Sequence, residues 1–253
     1  MRYMVTADTD VGIEKSTNQD SVLIKHGKCE KGEVLLCIVC DGMGGLAKGE
    51  VASAAVVRKF SEWFDEELPF ELESADGRVI GGKWSLLLKE LNVKIAEYGQ
   101  QAGVRMGTTF TGVLFFKDEY VSVHIGDTRL YRLDSSLRQM TTDQTFVARE
   151  MNRGTLTPEQ SKTDKRRNML LQCIGASERI DPEILTGKVE KGAYMLCTDG
   201  FRHEISDTEI FKALNPRKLS DRDVMHARVR KLIEEVKNRQ EKDNISVVMI
   251  KAS

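Results

Sequence analysis

The sequence predicts an α+β layered domain, and three features carry that reading. Apolar runs of strand length arrive in neighbouring pairs, helices come as long pieces, and nothing between them resembles a linker. Strands are expected at 21–24 and 34–40. A helix follows over Gly49–Glu66, where Ala52, Val56, Phe60 and Trp63 recur at helical spacing. After a polar interval containing Gly77, Gly81 and Gly82, a second helix is expected over 84–101. Trp63 and Trp84 read as core anchors of these two helices.

A strand-rich block comes next. Residues 108–116 and 121–125 read as a hairpin around Lys117-Asp118-Glu119, followed by a strand at 128–133. Residues 143–180 are polar and read as short helices mixed with loop. The last elements are an apolar strand at 193–197, a charge-rich helix at 221–239 and a strand at 245–250. Only 4 prolines occur, no repeat is visible and no Pro/Gly/Ser-rich stretch divides the chain, so 1–253 reads as a single domain.

Composition excludes several classes. The 38 basic and 39 acidic residues leave a net charge of -1, with no global field for nucleic acid or an anionic membrane. The N-terminus reaches Asp8 before an apolar run of signal length can form. Nothing later approaches the roughly 18 uninterrupted apolar residues of a membrane span. A cytoplasmic protein is the expectation. The five cysteines form no even framework. Cys37 and Cys40 match C-x-x-C, but side chains three apart on a strand point to opposite faces, so buried, reduced thiols are expected.

The aspartates are the informative residues. Asp41, Asp127 and Asp199 directly follow expected strands or stand two residues beyond one, whereas Asp20 and Asp243 lie just before strands. In an antiparallel sheet the end of one strand lies beside the start of its neighbour, so all five could meet at one edge. Crowded carboxylates repel unless a cation neutralises them. Oxygen ligands without neighbouring Cys or His favour Mg²⁺ or Mn²⁺ over zinc. An Asp-Gly step after a strand is also an ordinary turn, and the residues alone leave both readings standing.

At these same positions the sequence resembles the metal-dependent protein phosphatase family (type 2C, PPM). The matching segments are Asn18-Gln19-Asp20-Ser21, Asp41-Gly42-Met43-Gly44-Gly45, Gly107-Thr108-Thr109, Gly126-Asp127-Thr128-Arg129, Cys197-Thr198-Asp199-Gly200-Phe201 and Asp243-Asn244-Ile245-Ser246. Thr142-Asp143-Gln144 and Arg167-Asn168-Met169-Leu170 are weaker markers. The ordered set spans the chain and resembles the bacterial branch.

The resemblance implies a central β-sandwich of two antiparallel sheets flanked by α-helices, a four-layer αββα arrangement. It implies a serine/threonine phosphatase in which divalent cations, Mn or Mg, activate water without a phosphoenzyme. By position, Asp41 would bridge two ions and the Gly42 carbonyl would bind one of them. Asp199 and Asp243 would hold one ion, Asp20 would act through water, and Asp127 with Asp199 would serve a third, weaker ion. Implied partners are phosphorylated proteins and a cognate Ser/Thr kinase, with no nucleic acid or membrane. Nothing demands more than a monomer.

Three departures stand out. Lys15 occupies the place where many relatives carry a phosphate-gripping Arg; a lysine can pair with phosphate but cannot form the bidentate fork. Gln19 replaces a common Glu, which removes a charge near the ions. Met43 stands where some members have a His, and none of His26, His124, His203 and His226 replaces it by motif. Lys165-Arg166-Arg167 reads either as a solvated surface or as a substrate contact, and 152–177 falls where the family carries its flap. Two other readings remain: a phosphatase-like binding module without catalysis, and a hydrolase of small phosphoesters.

Overall fold

A computed structural model describes residues 1–43, 48–72 and 76–253. In chain order its strands are β1 (Tyr3–Asp10), β2 (Ser21–Cys29), β3 (Gly32–Cys40), β4 (Phe110–Phe116), β5 (Glu119–Ile125), β6 (Arg129–Leu133), β7 (Leu137–Gln139), β8 (Glu183–Lys188), β9 (Gly192–Cys197) and β10 (Ile245–Ala252). The helices are α1 (Gly49–Glu66), α2 (Leu68–Glu71), α3 (Gly77–Gln101), α4 (Phe146–Asn152), α5 (Pro158–Thr163), α6 (Asp207–Leu214) and α7 (Arg222–Asn238).

The strands form two antiparallel five-stranded sheets, in the orders β1-β10-β9-β6-β7 and β2-β3-β4-β5-β8. Side-chain alternation along each strand separates three apolar layers. Leu36, Ile38, Cys40, Phe110 and Leu114 face α1 and α3. Leu35, Cys37, Val39, Val113, Leu196 and Val248 fill the space between the sheets. Cys197, Val247 and Met249 face α6 and α7. The layers therefore run helix, sheet, sheet, helix, as the resemblance implied. Cys37 and Cys40 do fall in different layers, and all five cysteines are free thiols.

Helix α1 keeps its expected bounds and buries Ala52, Val56, Phe60 and Trp63. Trp63 and Trp84 meet edge to face with ring centroids 5.4 Å apart. Trp84 is fully buried, and truncating such a side chain to Ala costs about 3–5 kcal/mol. Helix α7 starts on Asp221, whose side chain accepts from the Val224 N–H, and it ends within a residue of the expected position. The hairpin turn is Lys117-Asp118, both at positive φ (48° and 62°), the left-handed pair that matches strand twist. Helices α4 and α5 supply the short helical pieces expected within 143–180.

Several elements depart from expectation. Helix α3 begins at Gly77 rather than Trp84, because Asp76 caps it by accepting from Arg78 and Val79 N–H. Gly81, read as part of a loop, is a packing residue: a Cβ there would lie 2.6 Å from Ile184 Cγ2 on β8. Strands β1, β7 and β8 and helix α6 were not anticipated. β8 alternates burial along Glu183–Lys188 but carries Glu, Thr, Gly and Lys, and β1 mixes Thr and Asp into an edge strand. Among the described residues no helix is long and apolar enough to cross a membrane.

Candidate metal and phosphoester site

The strand termini carrying aspartates gather at one end of the sandwich. Ser21 pairs with Cys40, which sets Asp20 beside Asp41. Phe110 pairs with Ile125, which brings Asp127 to the same edge. In the other sheet Thr198 N–H donates to the Ser246 carbonyl (3.0 Å) and Ser246 N–H to Thr198 Oγ1 (2.9 Å), so Asp199 lies beside Asp243. Thr198 Oγ1 also donates to Asp20 Oδ2 at 3.0 Å, which joins the two sheets across the cluster.

Each motif has a local structural job. Asp41 N–H donates to Thr109 Oγ1, while Thr108 Oγ1 and Thr109 N–H both donate to the Asp41 carbonyl, all at 2.9 Å. The Gly107-Thr108-Thr109 segment thereby fixes the backbone of Asp41. Gly42 N–H donates to the Gln19 carbonyl at 3.1 Å. A Cβ on Gly42 would sit 2.3 Å from that carbonyl oxygen and 2.5 Å from the Gly49 carbonyl oxygen, so only glycine fits. Gly44 and Gly45 of the same motif lie outside the described residues. Asn244 Oδ1 accepts from Gln19 N–H (2.9 Å), and its amide donates to the Val11 and Thr17 carbonyls, which ties the first motif to the last.

Electrostatics mark the cluster as strained without a counter-charge. Burial and the Asp199 and Asp243 charges push the Asp20 carboxyl up to about 7, although hydrogen bonds from Ser246 and Thr198 oppose the rise. Burial also raises Asp41 well above the carboxylate range, with added repulsion from Asp20, Asp199, Asp127 and Asp243. Asp127 is pushed up to about 7, first by burial and then by Asp199, against the pull of Arg202. These couplings tie all five predicted acids into one field.

Within the cluster two carboxylate oxygens, Asp20 Oδ1 and Asp199 Oδ1, are sealed from solvent and have no hydrogen-bond partner. A buried, unpaired anionic oxygen is costly, and a hard cation is the partner that suits it. No three acidic, His or Cys side chains among the described residues form a ready-made metal cage. Mg²⁺-like ions need none: they keep several waters and use one or two carboxylates each. The donor set therefore fits divalent cations.

Lys15 reaches this site. Its Nζ lies 3.3 Å from Asp243 Oδ1, with 34% and 42% of the two side chains exposed. Gln19 does not simply lack a charge: its Nε2 donates to Glu50 Oε2 (3.1 Å) at the start of α1, where a Glu would face a like charge. Arg166 of the basic triplet is held by a two-point pair with Asp164 and stacks 4.0 Å over Phe146. It is occupied structurally.

A shell of paired residues surrounds the aspartates; Arg129 and Asp143 stand within the matching segments, whereas Arg202, His203 and Glu241 lie outside them. Arg129 forks onto Asp143 (Nε to Oδ1 2.8 Å, Nη2 to Oδ2 2.6 Å). Although burial opposes its charge, Arg129 and Arg202 hold Asp143 below the ordinary range. Arg202 Nη2 donates to the Asp127 carbonyl (3.2 Å) and lies 3.9 Å from its carboxylate. His203 stands between Asp199 (3.5 Å) and Glu241 (3.4 Å). The available signal was proximity in sequence, since His203 lies four residues after Asp199 and Glu241 two before Asp243.

Residues 13–246 match the family model described as protein phosphatase 2C. The chain belongs to the protein phosphatase 2C family. It is 34% identical over 217 residues to the serine/threonine protein phosphatase PstP of Mycobacterium tuberculosis, an alignment covering 85% of this chain and 39% of that protein. It is 32% identical over 207 residues to protein phosphatase PhpP of Streptococcus pneumoniae, covering 80% of each. Among solved structures, the catalytic domain of PstP in complex with two manganese ions superposes with a TM-score of 0.79 at 29% identity, covering 98% of this chain and 97% of that one. The chain thus spans well under half of the full-length Mycobacterium phosphatase 2C relative and most of the Streptococcus one.

Proposed function

We propose that this chain is a metal-dependent protein serine/threonine phosphatase, hydrolysing phosphoserine and phosphothreonine without a phosphoenzyme. The observation that carries the reading is the convergence of five strand-terminal aspartates, two of them with buried, unpartnered carboxylate oxygens. Family membership and the two manganese ions of the PstP catalytic domain support it.

In this reading Asp41 and the Gly42 carbonyl would help to hold two divalent cations, Mn²⁺ or Mg²⁺. Asp199 and Asp243 would hold one ion, and Asp20 would act on it through water. Asp127, with Asp199, would serve a third and weaker ion. The cations would supply charge neutralisation on the phosphoryl oxygens and activation of water. The chain's own residues do the rest. Thr108 and Thr109 hold the Asp41 backbone still. Thr198 orients Asp20 by donating to one of its oxygens. Lys15, beside Asp243 at the open side of the cluster, is placed to meet an incoming phosphate as a point charge. The substrates are phosphoproteins, which a Ser/Thr kinase must supply.

Phosphate release from a phosphothreonine peptide, with and without Mn²⁺, tests the reading. Wild type should turn over only with the metal, and Asp199→Asn should lose at least about 10²-fold, the scale of removing one transition-state-stabilising group. Wild-type turnover in EDTA, or full activity in Asp199→Asn, would sink it.

A further inference from the structure

We infer that His203 and Glu241 form a strap that holds Asp199 and Asp243 as one unit, which makes both of them positioning residues for the cations. The inference rests on the assignment of Asp199 and Asp243 to metal. Asp199 starts a one-turn 3-10 helix, Asp199–Phe201, and its carboxylate has one oxygen, Oδ1, buried without a partner. The orientation of that carboxylate therefore depends on what touches Oδ2, and His203 Nε2 lies 3.5 Å from it. The His203 backbone is held too, because its N–H donates to the Asp199 carbonyl at 3.1 Å.

The other ring nitrogen, Nδ1, lies 3.4 Å from Glu241 Oε2. Glu241 is buried at 7% exposure, and its second oxygen accepts from the N–H groups of Lys242 (2.8 Å) and Asp243 (3.0 Å). One carboxylate thus grips both the imidazole and the backbone of the Asp243 loop. The chain of contacts reads Asp199, His203, Glu241, Asp243. Each ring nitrogen thus faces a carboxylate oxygen at ion-pair distance. The loops come close as well: a Cβ on Gly200 would lie 2.2 Å from the Asn244 carbonyl oxygen. Arg202, next in sequence, turns to Asp127 and Asp143 instead and leaves the strap to His203 alone.

Outer partners of metal ligands fix ligand orientation, and their removal typically costs about 10–100-fold in metal affinity. The test is calorimetric titration of the folded, metal-stripped protein with Mn²⁺, for wild type, His203→Ala, Glu241→Gln, the double variant and Asp199→Asn. The strap predicts a Kd for Mn²⁺ raised about 10–100-fold in each single strap variant. The double should be no weaker than the worse single, because removing either end releases the same link. KM for a phosphothreonine peptide at saturating Mn²⁺ should stay within about twofold, since neither residue touches substrate. If His203→Ala does not fold, Glu241→Gln carries the test, as it keeps its size and an acceptor for the loop amides. Mn²⁺ affinity within about twofold of wild type in the folded single variants, or losses that add in the double, would overturn the strap. If those variants bind normally while Asp199→Asn loses the metal, the strap alone falls. If Asp199→Asn also binds normally, the site assignment falls and the strap with it.

Discussion

The Lys15 ammonium lies 3.3 Å from Oδ1 of Asp243, at the exposed side of an acidic cluster whose Asp127 and Asp199 are buried. A pair this exposed contributes little to stability, on the order of 0–1 kcal/mol. Its position matters more than its strength, because in the proposed site that ammonium would face an approaching phosphate.

Lys15→Ala should therefore leave the melting temperature nearly unchanged and raise KM for a phosphothreonine peptide about tenfold, the worth of one charge-assisted hydrogen bond. Lys15→Arg should lower KM, since the guanidinium can grip two phosphate oxygens at once. Steady-state kinetics in Mn²⁺ measure both, and an unchanged KM in Lys15→Arg would remove Lys15 from the phosphate site.

The acidic cluster gives the protein an inverted pH dependence in EDTA. Asp20 and Asp127 both rise from 3.8 to about 7 on folding. The folded state therefore binds more protons than the unfolded state across that interval, and their contribution to stability falls as pH rises from about 4 to about 7. Thermal melts in EDTA should show lower Tm at pH 7.5 than at pH 5.5, and Mn²⁺ should raise Tm more at the higher pH. A Tm in EDTA that climbs steadily over this window would contradict the shared field of the aspartates.

Two glycines should respond in opposite directions. Gly42→Ala pushes a methyl group into the Gln19 and Gly49 backbone, which cannot move aside as a side chain can, and should destabilise by about 1–3 kcal/mol. Gly82 lies within α3 with nothing inside 4 Å of a Cβ, so Gly82→Ala should stabilise by roughly 0.4–1 kcal/mol. Urea denaturation of both variants decides this, and a neutral Gly42→Ala would refute the close approach of Gly42 to Gln19 and to the start of α1.

Gln19 and Glu50 should behave as a matched pair. Gln19→Glu replaces a hydrogen bond with like charges and should cost about 0.5–1.5 kcal/mol in EDTA. The exchange Gln19→Glu with Glu50→Gln should recover most of it. Purely additive losses in the double variant would show that the two side chains do not meet in solution.

Local pattern in the chain is enough to place the periodic elements and to put aspartates at the strand ends. Helix α1 and helix α7 were legible because one apolar face repeats at 3.6 residues and, in α7, an Asp caps the start. Asp20, Asp41, Asp127, Asp199 and Asp243 stood out because each adjoins a strand and antiparallel ends can meet, while the choice of a metal site over ordinary turns came from the resemblance to the phosphatase family. What local pattern could not reveal was anything whose cause lies on another element. Gly77 and Gly81 look like helix breakers until β5 and β8 pack against them, where the missing side chains are what allows the contact. β1 and β8 look too polar for strands because an edge or a half-covered face asks for little apolar surface. The pairings of Lys15 with Asp243, Gln19 with Glu50, and His203 with both Asp199 and Glu241 are likewise tertiary decisions. Periodicity reports which face of an element is buried, and only the packed chain decides which polar groups then stand within reach of one another.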